Sequence, residues 1–219
     1  MNFSALFRSR FAIVLLIVLA FSLWGCATPR QGPELPPSSI GVAAFTQPQS
    51  VLEMLAGNIP DDTPRIQPKK LTELDATLAE VLRTETKRQF APMETFLGCR
   101  NAKAPGQTTG RASALRYWIA VGNCMKVDFL LVPHAIDFRE RDGGEAGVIH
   151  PASVTMNFYL IDVRNSLVTT RSHFEETQIA LSDNLLEANK FISRRGRWIS
   201  ALELAREGMV KAVTKDMNL

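Results

Sequence analysis

Three histidines have the side chain best suited to metal chemistry, but their spacing is not that of a metal site. His134 and His150 bracket a predicted hairpin in which Asp137 and Glu145 also lie, and His173 stands apart. None occurs in a His-x-x-x-His or His-Glu-x-x-His spacing, and a zinc site needs three or four ligands at fixed positions. The sequence therefore predicts surface strands without a metal, and the alternative is a metal held across the hairpin.

The motifs of hydrolytic and phosphate-binding enzymes are missing from the sequence. There is no Gly-x-Ser-x-Gly nucleophile motif, and Gly106 and Gly110 are not followed by the Lys-Ser or Lys-Thr of a phosphate-binding loop. Glu175 and Glu176 are adjacent on a predicted strand and therefore point to opposite faces. We expect no catalytic residue and no cofactor.

Cys26 follows a segment that is typical of an export signal. Arg8 and Arg10 precede an apolar run, residues 11–23, that is broken only by Ser22. This run is shorter than the roughly 20 residues that span a bilayer and fits the core of a signal peptide. The sequence Leu23-Trp24-Gly25-Cys26 resembles the lipobox of bacterial lipoproteins, although Trp24 replaces the usual small residue. The resemblance implies cleavage after residue 25 and a diacylglycerol on the Cys26 thiol.

Two alternatives to a lipid anchor remain open. Residues 11–25 form an uncleaved anchor helix in one, and in the other an ordinary signal is cut elsewhere and Cys26 is a plain thiol. All three readings export the remaining chain. Ala27 stands where an aspartate would resemble an inner-membrane retention signal. This favours the periplasmic face of the outer membrane over an inner-membrane anchor.

Residues 26–38 have the composition of a tether, with four prolines between residues 27 and 38. Without residues 1–25 the chain has 23 basic and 22 acidic side chains. So small a net charge creates no strong field toward nucleic acid or anionic lipid. We expect no nucleic-acid partner.

If Cys26 carries lipid, Cys99 and Cys124 are left for an oxidising compartment, which permits a disulfide between them. In the chain-entropy model, closing a loop of about 26 residues contributes about 3 kcal/mol. The alternative is two separate buried thiols, because free cysteine is among the most buried residue types.

The remaining residues, 39–219, fit one domain. Its first half contains a buried strand at 40–45 and a helix from about Leu71 to Phe90, with Thr72 and Asp75 as a capping box. A short strand at 93–97 and a second helix, 111–125, follow.

The second half contains a strand at 127–138, in which Pro133 indicates an edge or a bulge. Apolar and polar residues then alternate over 154–160, typical of a half-buried strand, and residues 167–177 form its partner. The last helix runs from Trp198 to about Met217, with Glu207 and Lys211 paired. The predicted fold is α/β (α+β), a mixed sheet of about five strands with helices packed on it, in the order β-α-β-α-β-β-β-α.

This order, with the strings at 40–45, 127–132 and 154–163, resembles a periplasmic α/β domain of envelope-assembly proteins. They include the curli secretion channel subunit, the N-terminal domain of the Tol-Pal propeller protein and the lipoprotein activators of penicillin-binding proteins. Asp162 matches the last strand pair of that group, while Asn165 and Ser166 replace its Thr-Gly turn. The resemblance implies a binding or assembly domain without catalytic residues. The loops 139–152 and 177–197 are too short for the pore hairpins of the channel subunit.

The most basic part of the mature chain contains Arg194, Arg195, Arg197 and Trp198. It is a candidate contact for an acidic partner or anionic lipid, and the alternative is a solvated loop with Trp198 packed at the start of the last helix. We therefore expect a lipid-anchored, non-enzymatic protein that binds an envelope protein partner. The alternatives are a small envelope hydrolase with an unrecognised site and a self-assembling subunit that forms homo-oligomers.

Overall fold

The computed structural model describes residues 39–50, 53–61, 63–102, 111–144, 148–178, 194 and 197–219. All of them belong to one compact unit of the chain, residues 31–219. The predicted signal peptide, the tether and Cys26 lie outside the described residues. No described helix has both the length and the apolar character needed to cross a membrane.

The chain forms a mixed sheet with two helices on each face, which confirms the predicted fold class. The strands are β1 (Ile40–Val42), β2 (Phe129–Arg139), β3 (Asp142–Gly143), β4 (Val148–His150), β5 (Ser153–Asp162) and β6 (Leu167–Thr177). The helices are α1 (Pro68–Glu85), α2 (Met93–Cys99), α3 (Arg111–Met125) and α4 (Ala201–Lys211), and a π-helical turn, Ala212–Asp216, extends α4.

The main sheet has four strands in the order β1-β2-β5-β6, and β3 and β4 form a separate two-stranded sheet. β1 runs parallel to β2, whereas β5 is antiparallel to both of its neighbours. Pairing of β1 with β2 ends at Leu131, two residues before Pro133. The chain beyond β1 continues beside β2, where the N–H of Thr46 donates to the carbonyl of Pro133, so the proline, which has no N–H, takes part there only as an acceptor. The register of β2 also shifts between Ala135 and Asp137.

Two cores lie on opposite faces of this sheet. On the first face, α1 and α4 pack against β2 and β5, burying Leu74, Leu78, Val81, Leu204, Met209, Val154, Met156 and Phe158. On the second face, α2 and α3 contribute Phe96, Trp118, Val121 and Met125, which pack against Leu130, Val132, Tyr159 and Ile161. β5 is therefore buried on both faces, and the half-buried strand predicted from its alternation is wrong.

Three other local predictions are wrong. The segment at 93–97 is helical, because it begins α2, in which Phe96 and Cys99 are buried. α1 begins at Pro68, where the preceding Gln67 makes no side-chain cap, and it ends at Glu85. Asp75, the predicted capping acid, instead accepts a hydrogen bond from the backbone N–H of Phe45. Beyond α1 the chain turns back to the sheet, where the N–H of Ala91 donates to the carbonyl of Ile40 at 2.9 Å.

α4 begins with a capping box that follows from its sequence. The Ser200 side chain accepts the N–H of Glu203, and the Glu203 carboxylate accepts the N–H of Ser200 at 2.9 Å. Gly208 lets α4 approach the sheet, since a Cβ at this position would lie 2.5 Å from the ring of Phe174 in β6.

Candidate functional site

A polar cluster lies on the second face of the sheet, where β5 meets β6. The side chain of Asn157 is 2 % exposed, and its Oδ1 accepts hydrogen bonds from Arg171 Nη2 at 3.1 Å and from His173 Nδ1 at 2.9 Å. His173 Nε2 lies 3.3 Å from Glu175 Oε2. Arg171 also lies over the ring of Tyr159, 6.0 Å from its centroid. These groups form a continuous network at the edge of the sheet.

The loop before α1 packs on this network. The Tyr159 hydroxyl donates to the carbonyl of Ala56 at 2.5 Å, and Met54 is completely buried. Gly57 has a φ of +95°, which favours glycine, and a Cβ there would lie 3.0 Å from Arg171 Nη2. The loop therefore covers part of the polar face, which explains why Asn157 and Tyr159 are buried.

A cavity of about 320 Å³ opens beside this network, lined by Thr46, Pro48, Glu53, Ser113, Ala114, Tyr117, Trp118 and His134. His134 is 1 % exposed and packs edge-on against Tyr159, with ring centroids 5.3 Å apart. Burial lowers the pKa of His134 to about 4, so its imidazole is neutral at physiological pH. Within the part of the chain that is described, its Nδ1 is buried without a hydrogen-bond partner.

The placement of His134 corrects the prediction that it lies on a surface strand. His134 is on β2, opposite Asn157 of β5. His150 is exposed on β4 of the other sheet, where its Nδ1 lies 3.7 Å from Asp142 Oδ2. The two histidines therefore do not face each other across one hairpin. Glu145 lies outside the described residues, among which no three metal-ligating side chains come together.

A second cavity, of about 280 Å³, lies near the β1 edge of the sheet and is mostly apolar. Its walls are Val42, Asp75, Leu78, Ala79, Leu82, Arg83, Arg88, Phe90, Ala91 and Met93. Burial raises the pKa of Asp75 to about 6, although the hydrogen bond from Phe45 acts in the opposite direction. Among the described residues, the lining of this cavity contains a carboxyl group but no hydroxyl or thiol nucleophile.

The structure joins Cys99 to Cys124 in a disulfide, which confirms the predicted pairing over two separate thiols. Cys99 ends α2, and Cys124 lies in the last turn of α3. Their Cα atoms are 5.7 Å apart. The bond therefore ties together the two helices that cover the second face of the sheet.

The basic segment predicted to contact a partner is largely engaged within the domain. Arg194 is 8 % exposed, and its Nη2 lies 2.6 Å from Glu176 Oε1 and 2.5 Å from Glu207 Oε2. Burial opposes the charge of Arg194, but hydrogen bonds to both glutamates raise its pKa above the usual value. Glu207 therefore pairs with Arg194, not with Lys211 as predicted. A solvated loop is also wrong for Arg194.

The other members of this segment differ in environment. Arg197 is half-buried and pairs with Glu203 at 2.7 Å. Trp198 is half-buried just before α4, and its carbonyl accepts a hydrogen bond from Arg141. Arg195 lies outside the described residues. Trp198 and Arg197 are thus the described members of the segment that keep a partly exposed surface.

The sequence singles out His134 as a candidate metal ligand and Asp75 as a capping acid, but it does not predict that either group lines a cavity. The apolar string 129–132 before His134 is a signal for burial, and the apolar stripe of α1 adjoins Asp75. Neither signal specifies that a cavity lies beside the polar group, because the cavity walls come from distant parts of the chain.

No protein-family model and no curated protein matches this sequence. Solved structures with a similar arrangement include the PelC dodecamer from Paraburkholderia phytofirmans, at 14 % identity and a TM-score of 0.43 over 83 % of this chain and 89 % of that one. Lipoprotein GNA1162 from Neisseria meningitidis is 15 % identical, with a TM-score of 0.41 over 73 % of this chain and 96 % of that one. The LpoB C-terminal domain from Salmonella enterica is 10 % identical, with a TM-score of 0.36 over 73 % and 92 % of the two chains. Likenesses of this size carry no inference about function.

Proposed function

We propose that this chain is a lipid-anchored protein of the bacterial cell envelope that binds and helps to assemble other envelope proteins without catalysing a reaction. In this proposal Cys26 carries the lipid, and the domain faces the periplasm from the outer membrane. The observation that carries the proposal is the Cys99–Cys124 disulfide, because such bonds persist in oxidising compartments. It agrees with the export signal that the sequence predicts.

The electrostatics of the two cavities support binding over catalysis. A general base works best when its pKa lies near the operating pH, whereas the pKa of His134 is about 4. Its buried Nδ1 also has no orienting partner among the described residues. Asp75, with a pKa of about 6, is better placed to titrate, but its neighbours in the cavity wall are mostly apolar.

The anchor is tested by mass spectrometry of the full chain extracted from membranes. We expect a mature protein that begins at Cys26 and carries acyl chains, and a Cys26→Ser variant that remains unprocessed. A mature protein with an unmodified thiol at Cys26 would remove the anchor from the proposal.

The binding role is tested by crosslinking in intact cells, followed by purification from detergent-solubilised membranes. We expect a second envelope protein in stoichiometric amount. Recovery of this chain alone, from cells in which it is correctly processed, would contradict the binding role and leave the anchor intact.

A hydrolase is the second candidate, and one observation favours it. Ser113, His134 and Glu53, the residue types of a nucleophile, base and acid, line the same cavity. The test is labelling with a fluorophosphonate, which reacts with activated serines. We expect no labelling; labelling that is lost in Ser113→Ala would overturn the non-enzymatic role.

A further inference from the structure

β6 forms one edge of the main sheet over eleven residues, Leu167–Thr177. Its inner side pairs with β5 along this whole length. Within the described ranges, residues 167–175 and Thr177 make no backbone hydrogen bond outside the strand ladder. No residue in the described part of the chain therefore pairs with the outer row of N–H and carbonyl groups of these residues, which another strand could use.

The regular part of this edge is short and has a defined centre. The register with β5 jumps from Thr170 to Val168, which leaves Thr169 as the extra residue of a bulge. At the other end, Glu176 is held by buried Arg194. Regular pairing with β5 runs from Thr170 to Thr177, and His173 lies near the middle of this stretch.

The exposed side chains of this segment are arranged symmetrically about His173. Arg171, His173 and Glu175 project from the same face, two residues apart, and all three are exposed. The charge on one side of His173 is therefore opposite to the charge on the other side.

This arrangement is self-complementary in one antiparallel register. If His173 lies opposite His173 of a second copy, Arg171 of each copy lies opposite Glu175 of the other. Opposite charges in directly facing positions stabilise a strand pair, and like charges destabilise it. Registers centred on Arg171 or Glu175 would place two arginines or two glutamates face to face.

We propose that a second copy of this chain adds to the β6 edge in the register centred on His173, which forms a twofold-symmetric dimer with one continuous sheet. The same surface is used by both copies, as in other twofold interfaces. Arg171 can keep its bond to Asn157 while it faces the second copy, because a guanidinium has five N–H donors. The dimer does not depend on a lipid at Cys26.

The register predicts which positions approach their own copies. In this register the two Cβ atoms at position 173 lie about 5 Å apart. Position 177 is four residues from the centre, so its two copies lie about 27 Å apart at about 3.4 Å per residue. Both positions are exposed on β6.

The test uses His173→Cys and Thr177→Cys in the full chain, treated in cell lysate with a short bis-maleimide and compared with the unsubstituted chain. We expect the crosslinker to form covalent dimers of the His173→Cys chain. For the Thr177→Cys chain, we expect no more crosslinked dimer than the unsubstituted chain gives. Equal yields from both variants, or no dimer above that yield from a folded His173→Cys chain, would overturn the proposal.

Charge exchange tests the same register independently. In the His173→Cys background, Arg171→Glu should lower the dimer yield about tenfold, because two favourable pairs become repulsive. Adding Glu175→Arg should restore the yield, since the pairs are then exchanged between positions. Failure of the double exchange to restore crosslinking, with the Cys99–Cys124 disulfide still formed, would also overturn the proposed register.

Discussion

The carboxylate of Asp75 in α1 accepts a hydrogen bond from the backbone N–H of Phe45, with a distance of 2.6 Å between Oδ1 and N. Phe45 lies just beyond β1, and its ring packs edge-on against Phe158 of β5, with centroids 5.9 Å apart. The bond therefore fixes α1 to the chain that leaves the edge strand. Because Asp75 also lines the apolar cavity, burial raises its pKa to about 6 from an ordinary value of 3.8.

We expect Asp75→Asn to change how stability depends on pH. The folded protein holds the Asp75 proton more tightly than the unfolded chain, so its stability falls as pH rises from about 4 to about 6. Asparagine keeps an acceptor for Phe45 but does not ionise. The stability of the variant should therefore not fall between pH 4 and pH 6. At pH 7 its free energy of unfolding should exceed that of the wild type by on the order of 1 kcal/mol, after allowance for solvent screening.

Urea unfolding between pH 3 and pH 8 measures this effect, and Asp75→Ala is the matched control. Alanine leaves the Phe45 N–H without its acceptor and should lower the free energy of unfolding by about 1–3 kcal/mol. An Asp75→Asn variant with the wild-type slope would show that Asp75 does not titrate in this range.

His134 should change stability with pH in the direction opposite to Asp75. Burial lowers its folded-state pKa to about 4 from an ordinary value of 6.5. The stabilising contribution of neutral His134 is therefore complete above pH 6.5. As pH falls from 6.5 toward 4, the free energy of unfolding falls by up to about 3 kcal/mol. His134→Gln should remove this loss, measured by unfolding across the same interval, while exposed His150→Gln should behave as the wild type. Equal slopes for all three proteins would contradict the buried neutral imidazole.

Gly208→Ala tests the close contact between α4 and β6, and Gly98→Ala is its control. A Cβ at Gly208 would lie 2.5 Å from Phe174 Cδ1 and 2.9 Å from Met156 Cε. Gly208→Ala should therefore lower the free energy of unfolding by about 1–3 kcal/mol through overpacking. Gly98 in α2 has nothing within 4 Å of its added Cβ, so Gly98→Ala should be neutral or slightly stabilising. Thermal unfolding compares the two, and equal stabilities would argue against the close contact of α4 with β6.

Substitutions of Arg194 and Arg197 compare a buried ion pair with a half-exposed one. Arg194→Ala removes the shared partner of Glu176 and Glu207 and should lower the free energy of unfolding by about 2–4 kcal/mol. Arg197→Ala breaks a half-exposed pair with Glu203 and should cost less than about 1 kcal/mol. Chemical denaturation measures both. Losses of similar size would show that the Arg194 pairs are effectively solvated.

The elements with long, regular patterns could be predicted from the sequence, and the short ones could not. α3 has the bounds expected from its pattern, and β6 has the expected wet face. The residues that begin α2, Met-Glu-Thr-Phe-Leu, have apolar side chains at i, i+3 and i+4, a helical spacing, but the pattern covers only five residues. Over so few residues the two periods cannot be separated, and packing of Phe96 and the disulfide at Cys99 favours the helix.

Burial of polar groups was the main feature beyond the reach of the sequence. Asn157 and Tyr159 alternate with apolar neighbours, which is typical of a half-solvated strand. They are buried because residues 53–57, about a hundred positions earlier, fold over them. Arg194 lies in a basic run that suggests solvent exposure, and its acidic partners come from β6 and α4. In each case a distant segment determines the environment.

β1 pairs with a strand that is almost ninety residues further along the chain. Ile40 lies opposite Phe129, and the N–H of Ser39 donates to the Asp128 carboxylate at 3.0 Å. Contacts of such high sequence separation form late, because a long loop must close before the pairing contributes. During synthesis, the pairing of Ile40–Val42 with β2 cannot form until Phe129 has emerged. In that interval β2 cannot cover this apolar strand, so the first strand of the sheet is among the last to be completed.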